Sequence, residues 1–213
     1  MAISVKICGL KTEDAVDAAV EGGAAYLGAV FFPPSPRAVT AFQAAELFEF
    51  VPEEVQKVGL FVDPDDALLA SVLTHVRLDI LQLHGQELPG RVDRLRLDWG
   101  LPVMKALPIA EAADISAARA YDGIADFLLF DAKPPKGATR PGGNAVAFEW
   151  SLLHGTQWQS PWMLAGGLTA ENLAEAVRAS GATTVDVSSG VETAPGEKSP
   201  EKIRAFLDLA AEL

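Results

Sequence analysis

Eight short runs rich in Val, Ile, Leu and Phe alternate along the whole chain with longer amphipathic, Ala- and Glu-rich segments. No other feature restricts the fold as strongly, because repeated βα units build a parallel sheet covered by helices. Strands are expected at 3–8, 25–32, 56–62, 79–83, 102–107, 126–131, 161–165 and 183–188. Helices are expected at 12–22, 40–50, 65–75, 86–98, 110–121, 169–179 and 199–212. Ser199-Pro200-Glu201 gives the clearest helix start: a hydroxyl to accept from orphan amides, a preset φ, and a carboxylate at the positive dipole end. Asp63-Pro64-Asp65 and Thr169-Ala170-Glu171 carry the same signal, and Gly22-Gly23 and Gly181 stand where left-handed helix ends favour glycine. About eight strands matched one to one by helices read as an α/β protein, a (β/α)8 TIM barrel in a single domain over 1–213. A doubly wound open sheet alternates similarly, but at this length it has fewer strands. Its Gly-rich first turn is also not supplied by Cys8-Gly9-Leu10-Lys11.

Charge and cysteine usage narrow the function. Lys and Arg number 17 against 29 Asp and Glu, a formal charge of −12 that argues against nucleic acid or an anionic membrane as partner. An anionic ligand therefore needs a local site. The single cysteine, Cys8, excludes an internal disulfide and a Cys-cluster zinc site, and three scattered histidines give metal catalysis little support, so no metal is expected. The opening MAISVKICGLK lacks a signal-peptide core, and no window approaches the roughly 18 apolar residues of a membrane span, so a cytoplasmic protein is expected.

A barrel places its chemistry at the carboxyl ends of the strands. Those ends carry Cys8, Pro34-Ser35-Pro36-Arg37, Gln82-Leu83-His84, Lys105, Asp131 with Lys133, Gly166-Gly167 and Ser188-Ser189-Gly190. Alternation puts Lys6 with Cys8, Gln82 with His84, and Asp186 with Ser188 on shared faces. The last two turns sit where barrels commonly bind phosphate, with glycines that admit a ligand to the backbone and serines that add donors. Each residue also has a plainer reading. The glycines and serines serve as turn and cap residues, Cys8 as a small core residue, Asp131 as a cap or a partner for Lys133, Arg37 as a solvated surface group and His84 as a structural one. For Cys8, the strand-end location and Lys6 two residues back favour a thiolate. Arg37 offers a fork for a carboxylate. The long 132–147 stretch, rich in Pro and Gly, reads as a functional loop.

The ordered set of motifs resembles the phosphoribosylanthranilate isomerase family nearly end to end. It comprises Lys6-Ile7-Cys8-Gly9-Leu10, Phe31 to Arg37, Gln82-Leu83-His84-Gly85, Asp131-Ala132-Lys133, Pro141-Gly142-Gly143, Ala165-Gly166-Gly167-Leu168 and Val185 to Glu192. The resemblance implies Cys8 as general base and Asp131 as general acid. Arg37 would contact the anthranilate end, Gln82 and His84 would stand at the substrate, and Gly166, Gly167, Ser188, Ser189 and Gly190 would hold the phosphate. It also implies an Amadori rearrangement of a small phosphorylated substrate with no cofactor or metal, and leaves the oligomeric state open. Such a mechanism asks a thiol with a free value near 8.5 to shift toward neutrality, and a carboxyl to stay protonated. The chain departs from the family pattern at Asn144-Ala145, where a small residue and a glycine are usual, and at Glu149, where aspartate is common. Two other readings compete: a Schiff-base aldolase using Lys105 or Lys133, and a barrel that only binds a phosphorylated metabolite.

Overall fold

The computed structural model describes residues 3–134, 137, 141–143 and 147–213. Eight parallel strands pair in chain order: β1 (Ser4–Cys8), β2 (Tyr26–Val30), β3 (Gln56–Phe61), β4 (Ile80–Leu83), β5 (Val103–Ile109), β6 (Phe127–Ala132), β7 (Trp162–Leu164) and β8 (Thr184–Val187). The last strand pairs back onto the first, with Lys6 in register with Asp186. That closure makes the sheet a barrel and rules out the open doubly wound alternative.

Alternation along the strands sorts their side chains into two cores. Val58, Ile80, Met104, Ala106, Leu129, Met163 and Ala165 fill the lumen, while Val5, Ile7, Leu81, Leu83, Leu128, Phe130, Val185 and Val187 pack outward into the larger cluster beneath the helices. The same parity points Lys6 and Cys8, Gln82, Asp131, and Asp186 inward, above or among the lumen residues. A slip of one residue in any of these strands would send its polar group to the helix side, so the apolar pattern fixes the site.

The covering helices are α1 (Glu13–Glu21), α2 (Ala41–Phe48), α3 (Asp66–Leu73), α4 (Pro89–Trp99), α5 (Ala112–Ala118), α6 (Leu173–Ser180) and α7 (Pro200–Ala211). Ser199 and Asp65 cap their helices as expected, accepting from Lys202 N at 3.2 Å and Leu68 N at 2.8 Å. Thr169 does not: its own amide donates to Asn172 Oδ1 at 2.8 Å, and α6 starts four residues later than expected. Likewise α4 starts at Pro89, because the preceding Glu87 turns its carboxylate back onto the Asp63 and Gly85 amides.

One helix per strand fails after β6. Among the described residues that place holds only a 3-10 turn, Trp150–Leu153, soon followed by Gly155 at φ +69°. The segment spends its length on the loop, part of which, including Asn144-Ala145, lies outside the described residues. A two-stranded hairpin, β9 (Glu192–Ala194) and β10 (Glu197–Lys198), follows β8 and was not expected. Its strands are too short and polar to show an apolar alternation.

Candidate active site

The seam between β1 and β8 brings charge to the thiol. Lys6 is fully buried and donates from Nζ to Asp186 Oδ1 at 2.8 Å. Burying an unpaired ammonium costs several kcal/mol, more than the roughly 1.5–3 kcal/mol that one lumen side chain contributes, so Lys6 needs that partner. A methyl group placed on Gly28 would meet Cys8 Sγ at 3.1 Å and Lys6 Nζ at 3.2 Å, which sets thiol and ammonium side by side. Burial pushes the Cys8 thiol above its ordinary value, and Asp186 adds to this; Lys6 and Lys198 pull the other way without prevailing. The expected downward shift is thus corrected: the two cations do not offset what the thiolate loses in hydration. Burial works against the Lys6 ammonium, but Asp186 and Cys8 outweigh it and hold its value above normal, so it remains charged.

On the other side, His84 Nε2 lies 3.2 Å from Asp131 Oδ2, and Asp131 Oδ1 accepts from the Ala132 amide at 2.8 Å. Gln82 stands below them, fully buried, with Nε2 3.4 Å from His84 Nδ1 and Oε1 without a partner among the described residues. The described part of the loop after β6 covers both groups: a Cβ on Gly142 would fall 2.6 Å from Asp131 Oδ2 and 2.7 Å from His84 Cε1. Gly143 lies as closely on the Arg37 guanidinium, 2.5 Å from Nη1 by the same measure.

Arg37 is buried rather than solvated. Its Nε and Nη2 donate to Glu192 at 2.7 and 2.8 Å, a two-pronged pair that leaves Nη1 on the cavity side. Burial would raise the Glu192 carboxyl, yet the Arg37 hydrogen bonds and the Lys198 ammonium overcome it and hold the value at about 2.

The two glycine-containing turns meet at the barrel rim. Gly166, at φ +89°, would press a Cβ to 2.7 Å from the Ala132 amide, and Gly190 would drive one to 1.9 Å from the Leu168 carbonyl oxygen, so neither tolerates a side chain. Ser189 and Gly190 open the 3-10 turn Ser189–Val191, whose first N–H groups have no acceptor within the turn. The Ser188 hydroxyl is already committed: it donates to the Cys8 carbonyl at 3.0 Å and accepts from Lys198 Nζ at 3.2 Å.

Cys8, Arg37, His84, Asp131, Gly166, Gly167, Ser188 and Ser189 all line one cleft at the barrel mouth. Gln82 and Gly190 support it from behind and do not line it. Lys105 points outward to Glu87 at 2.8 Å, and Lys133 pairs with Asp114 at 3.0 Å, so neither amine offered for a Schiff base reaches the cleft. Glu192 and Lys198 went unnoticed as site residues, since their roles depend on the hairpin that folds them back. The one sequence cue was the Pro195-Gly196 turn between them.

A closed eight-stranded barrel with a thiol, a carboxyl and two ligand-admitting turns at one mouth defines a (β/α)8-barrel enzyme. The sequence model of a family described as N-(5'phosphoribosyl)anthranilate (PRA) isomerase matches residues 5–209, and the chain belongs to that family. It is 66% identical to the N-(5'-phosphoribosyl)anthranilate isomerase of Paramagnetospirillum magneticum, over 99% of this chain and 98% of that one. The phosphoribosyl anthranilate isomerase structure from Thermotoga maritima superposes with a TM-score of 0.87 at 32% identity, covering 99% of this chain and all of that one. A further isomerase structure of the family, solved with reduced 1-(o-carboxyphenylamino)-1-deoxyribulose 5-phosphate, matches with a TM-score of 0.82 at 29% identity, over 99% and 100% of the two chains.

Proposed function

We propose that Cys8 is the general base and Asp131 the general acid of this isomerase, with Arg37 holding the aryl carboxylate. The reaction is the Amadori rearrangement of N-(5-phosphoribosyl)anthranilate to 1-(2-carboxyphenylamino)-1-deoxyribulose 5-phosphate, a step of L-tryptophan biosynthesis. As general acid, Asp131 delivers a proton to the furanose ring oxygen as the C1–O bond breaks and the nitrogen lone pair forms an iminium. The Cys8 thiolate then takes the C2 proton, and the resulting enolamine tautomerises to the aminoketone. His84, next to Asp131 Oδ2, orients the acid; Lys6, beside the sulfur, favours the thiolate. The phosphate falls to the main-chain N–H groups of Gly166, Gly167 and Ser189, while Gly190, behind the cleft, keeps the turn tight against the Leu168 carbonyl. Ser188 shapes that turn rather than donating its hydroxyl, which is spent on Cys8 O.

The observation that carries this reading is the shared cleft: thiol, carboxyl, guanidinium and both turns open onto one space. The barrel works as a single domain over 1–213. Its working compartment is the cytoplasm, where a reducing environment keeps the lone thiol available as a base. The test is turnover of phosphoribosylanthranilate by the purified protein beside Cys8→Ala and Asp131→Asn. Each positioned acid or base is worth about 10²- to 10⁴-fold, so both variants fall by that order while still binding reduced product. Near-normal turnover in either removes that residue from the mechanism.

A further inference from the structure

Among the described residues Arg37 is the one Lys or Arg that lines the cleft, and the loops assigned to the phosphate contain no cation. Gly166 to Thr169 and Ser188 to Gly190 carry only glycines, hydroxyls and Leu168. A phosphate bound there, in a protein of formal charge −12, meets an unfavourable field. A positive charge does lie behind the eighth-strand turn. Lys198, its side chain 1% exposed, donates from Nζ to the Ser188 carbonyl at 2.9 Å, the Ser188 hydroxyl at 3.2 Å and Glu192 Oε1 at 2.8 Å. Glu192 also grips Arg37 through both carboxylate oxygens. Its backbone is pinned in turn, since the Glu192 carbonyl accepts from Lys202 Nζ at 2.7 Å.

We propose that Glu192 and Lys198 are positioning residues for the two ends of the substrate at once. One carboxylate sets the Arg37 fork toward the aryl carboxylate and sets the Lys198 ammonium behind Ser188, where it supplies the positive charge that the phosphate turns lack. A group buried in low dielectric acts further than a surface charge, so a cation one residue behind the turn still biases it. Glu192 serves both cations because it stays ionised through the working pH range, with its value held at about 2. Burial and Arg37 make the Lys198 ammonium easier to discharge, and Glu192 is the chief group that opposes this. The hairpin is therefore a strap that joins the second-strand loop to the eighth.

The inference rests on the proposed assignment of the two ends, and its test reads binding without turnover. Calorimetric titration with inorganic phosphate and, separately, with anthranilate compares wild type, Lys198→Met, Arg37→Ala and Glu192→Gln. Loss of a charged hydrogen-bond partner is worth about tenfold or more. Lys198→Met should weaken phosphate by about tenfold and leave anthranilate within about twofold, while Arg37→Ala does the reverse. Glu192→Gln should weaken both, and Lys198→Arg should restore much of the phosphate affinity. Lys198→Met that folds, melts cooperatively and binds phosphate as wild type does overturns the proposal, as does Glu192→Gln that lowers only the melting temperature. If Lys198→Met fails to fold, Lys198→Gln takes its place, and a folded Lys198→Gln that binds phosphate as wild type does overturns it equally. A wild type that binds in this pattern but does not turn over phosphoribosylanthranilate sinks the functional reading and leaves the strap standing.

Discussion

The two sides of the barrel mouth are built differently. On the β1–β8 side, Lys6, Asp186, Lys198, Glu192 and Arg37 form short, buried ion pairs around Cys8, each between 2.7 and 2.8 Å. On the β4–β6 side, among the described residues, Asp131 meets one imidazole at 3.2 Å, Gln82 leaves an oxygen unpartnered, and Gly142 and Gly143 form the cover. The base side is thus fixed by charge before any substrate arrives, whereas the acid side is held by single contacts and a loop. A base that must carry negative charge in a dry site needs fixed cations; an acid that must be neutral to donate does not.

The contrast breaks most visibly in the pH dependence of catalysis. Cys8 is pushed above its ordinary value by burial, so the thiolate is the minority form at neutral pH. The value of kcat/KM should therefore climb with pH through 7 and 8 and level off only above the free-thiol value of about 8.5. Lys6→Met removes the main opposing cation and should carry the rise further to alkaline pH. A plateau already reached at pH 6 would show that some other group is the base, and an unmoved profile in Lys6→Met would leave Lys6 a structural ion-pair member. Alkylation of Cys8 in the unliganded protein gives an independent reading of the same limb.

A smaller effect separates the sides in acid. The folded Glu192 value of about 2, against 4.5 when free, means that its contribution to stability is complete above about pH 4.5. It is lost as the pH falls toward 2, and amounts to about 3 kcal/mol at 1.4 kcal/mol per unit. Unfolding in denaturant at a series of pH values should show the gap between wild type and Glu192→Gln closing over that window. A gap independent of pH would mean that the carboxylate contributes shape and not charge.

How much of this was legible beforehand follows from the length of the pattern involved. Closure into a barrel followed from the repeat of apolar strands, and the shared face of Lys6 and Cys8 from their alternation, since parity needs only two neighbours in the chain. What stayed hidden depended on groups far apart in sequence or on elements too short to leave a period. Arg37 read as a loop arginine because its partner is 155 residues away. Lys198 sits in a two-residue strand, and Ser188 reads as a donor until the Cys8 carbonyl that consumes its hydrogen is in place. Thr169 fails as a cap for a nearer reason: α6 begins only after Asn172, whose side chain reaches back to accept from the Thr169 amide.

The smallest effect belongs to Gln82, which sits beneath the acid side with one amide oxygen buried and unpartnered among the described residues. Leaving such a group unsatisfied costs about 1–3 kcal/mol, and a long Nε2 contact to His84 at 3.4 Å returns little of it. Methionine matches glutamine in length and packs well against Met104 and Leu129 in the lumen. Gln82→Met should therefore raise the melting temperature slightly or leave it in place, and should lower kcat by less than about tenfold through a freer His84 ring. Loss of activity as large as in Asp131→Asn would mean that the amide fixes the imidazole tautomer. The acid side would then be as firmly wired as the thiol side, through a neutral hydrogen-bond chain instead of fixed charge.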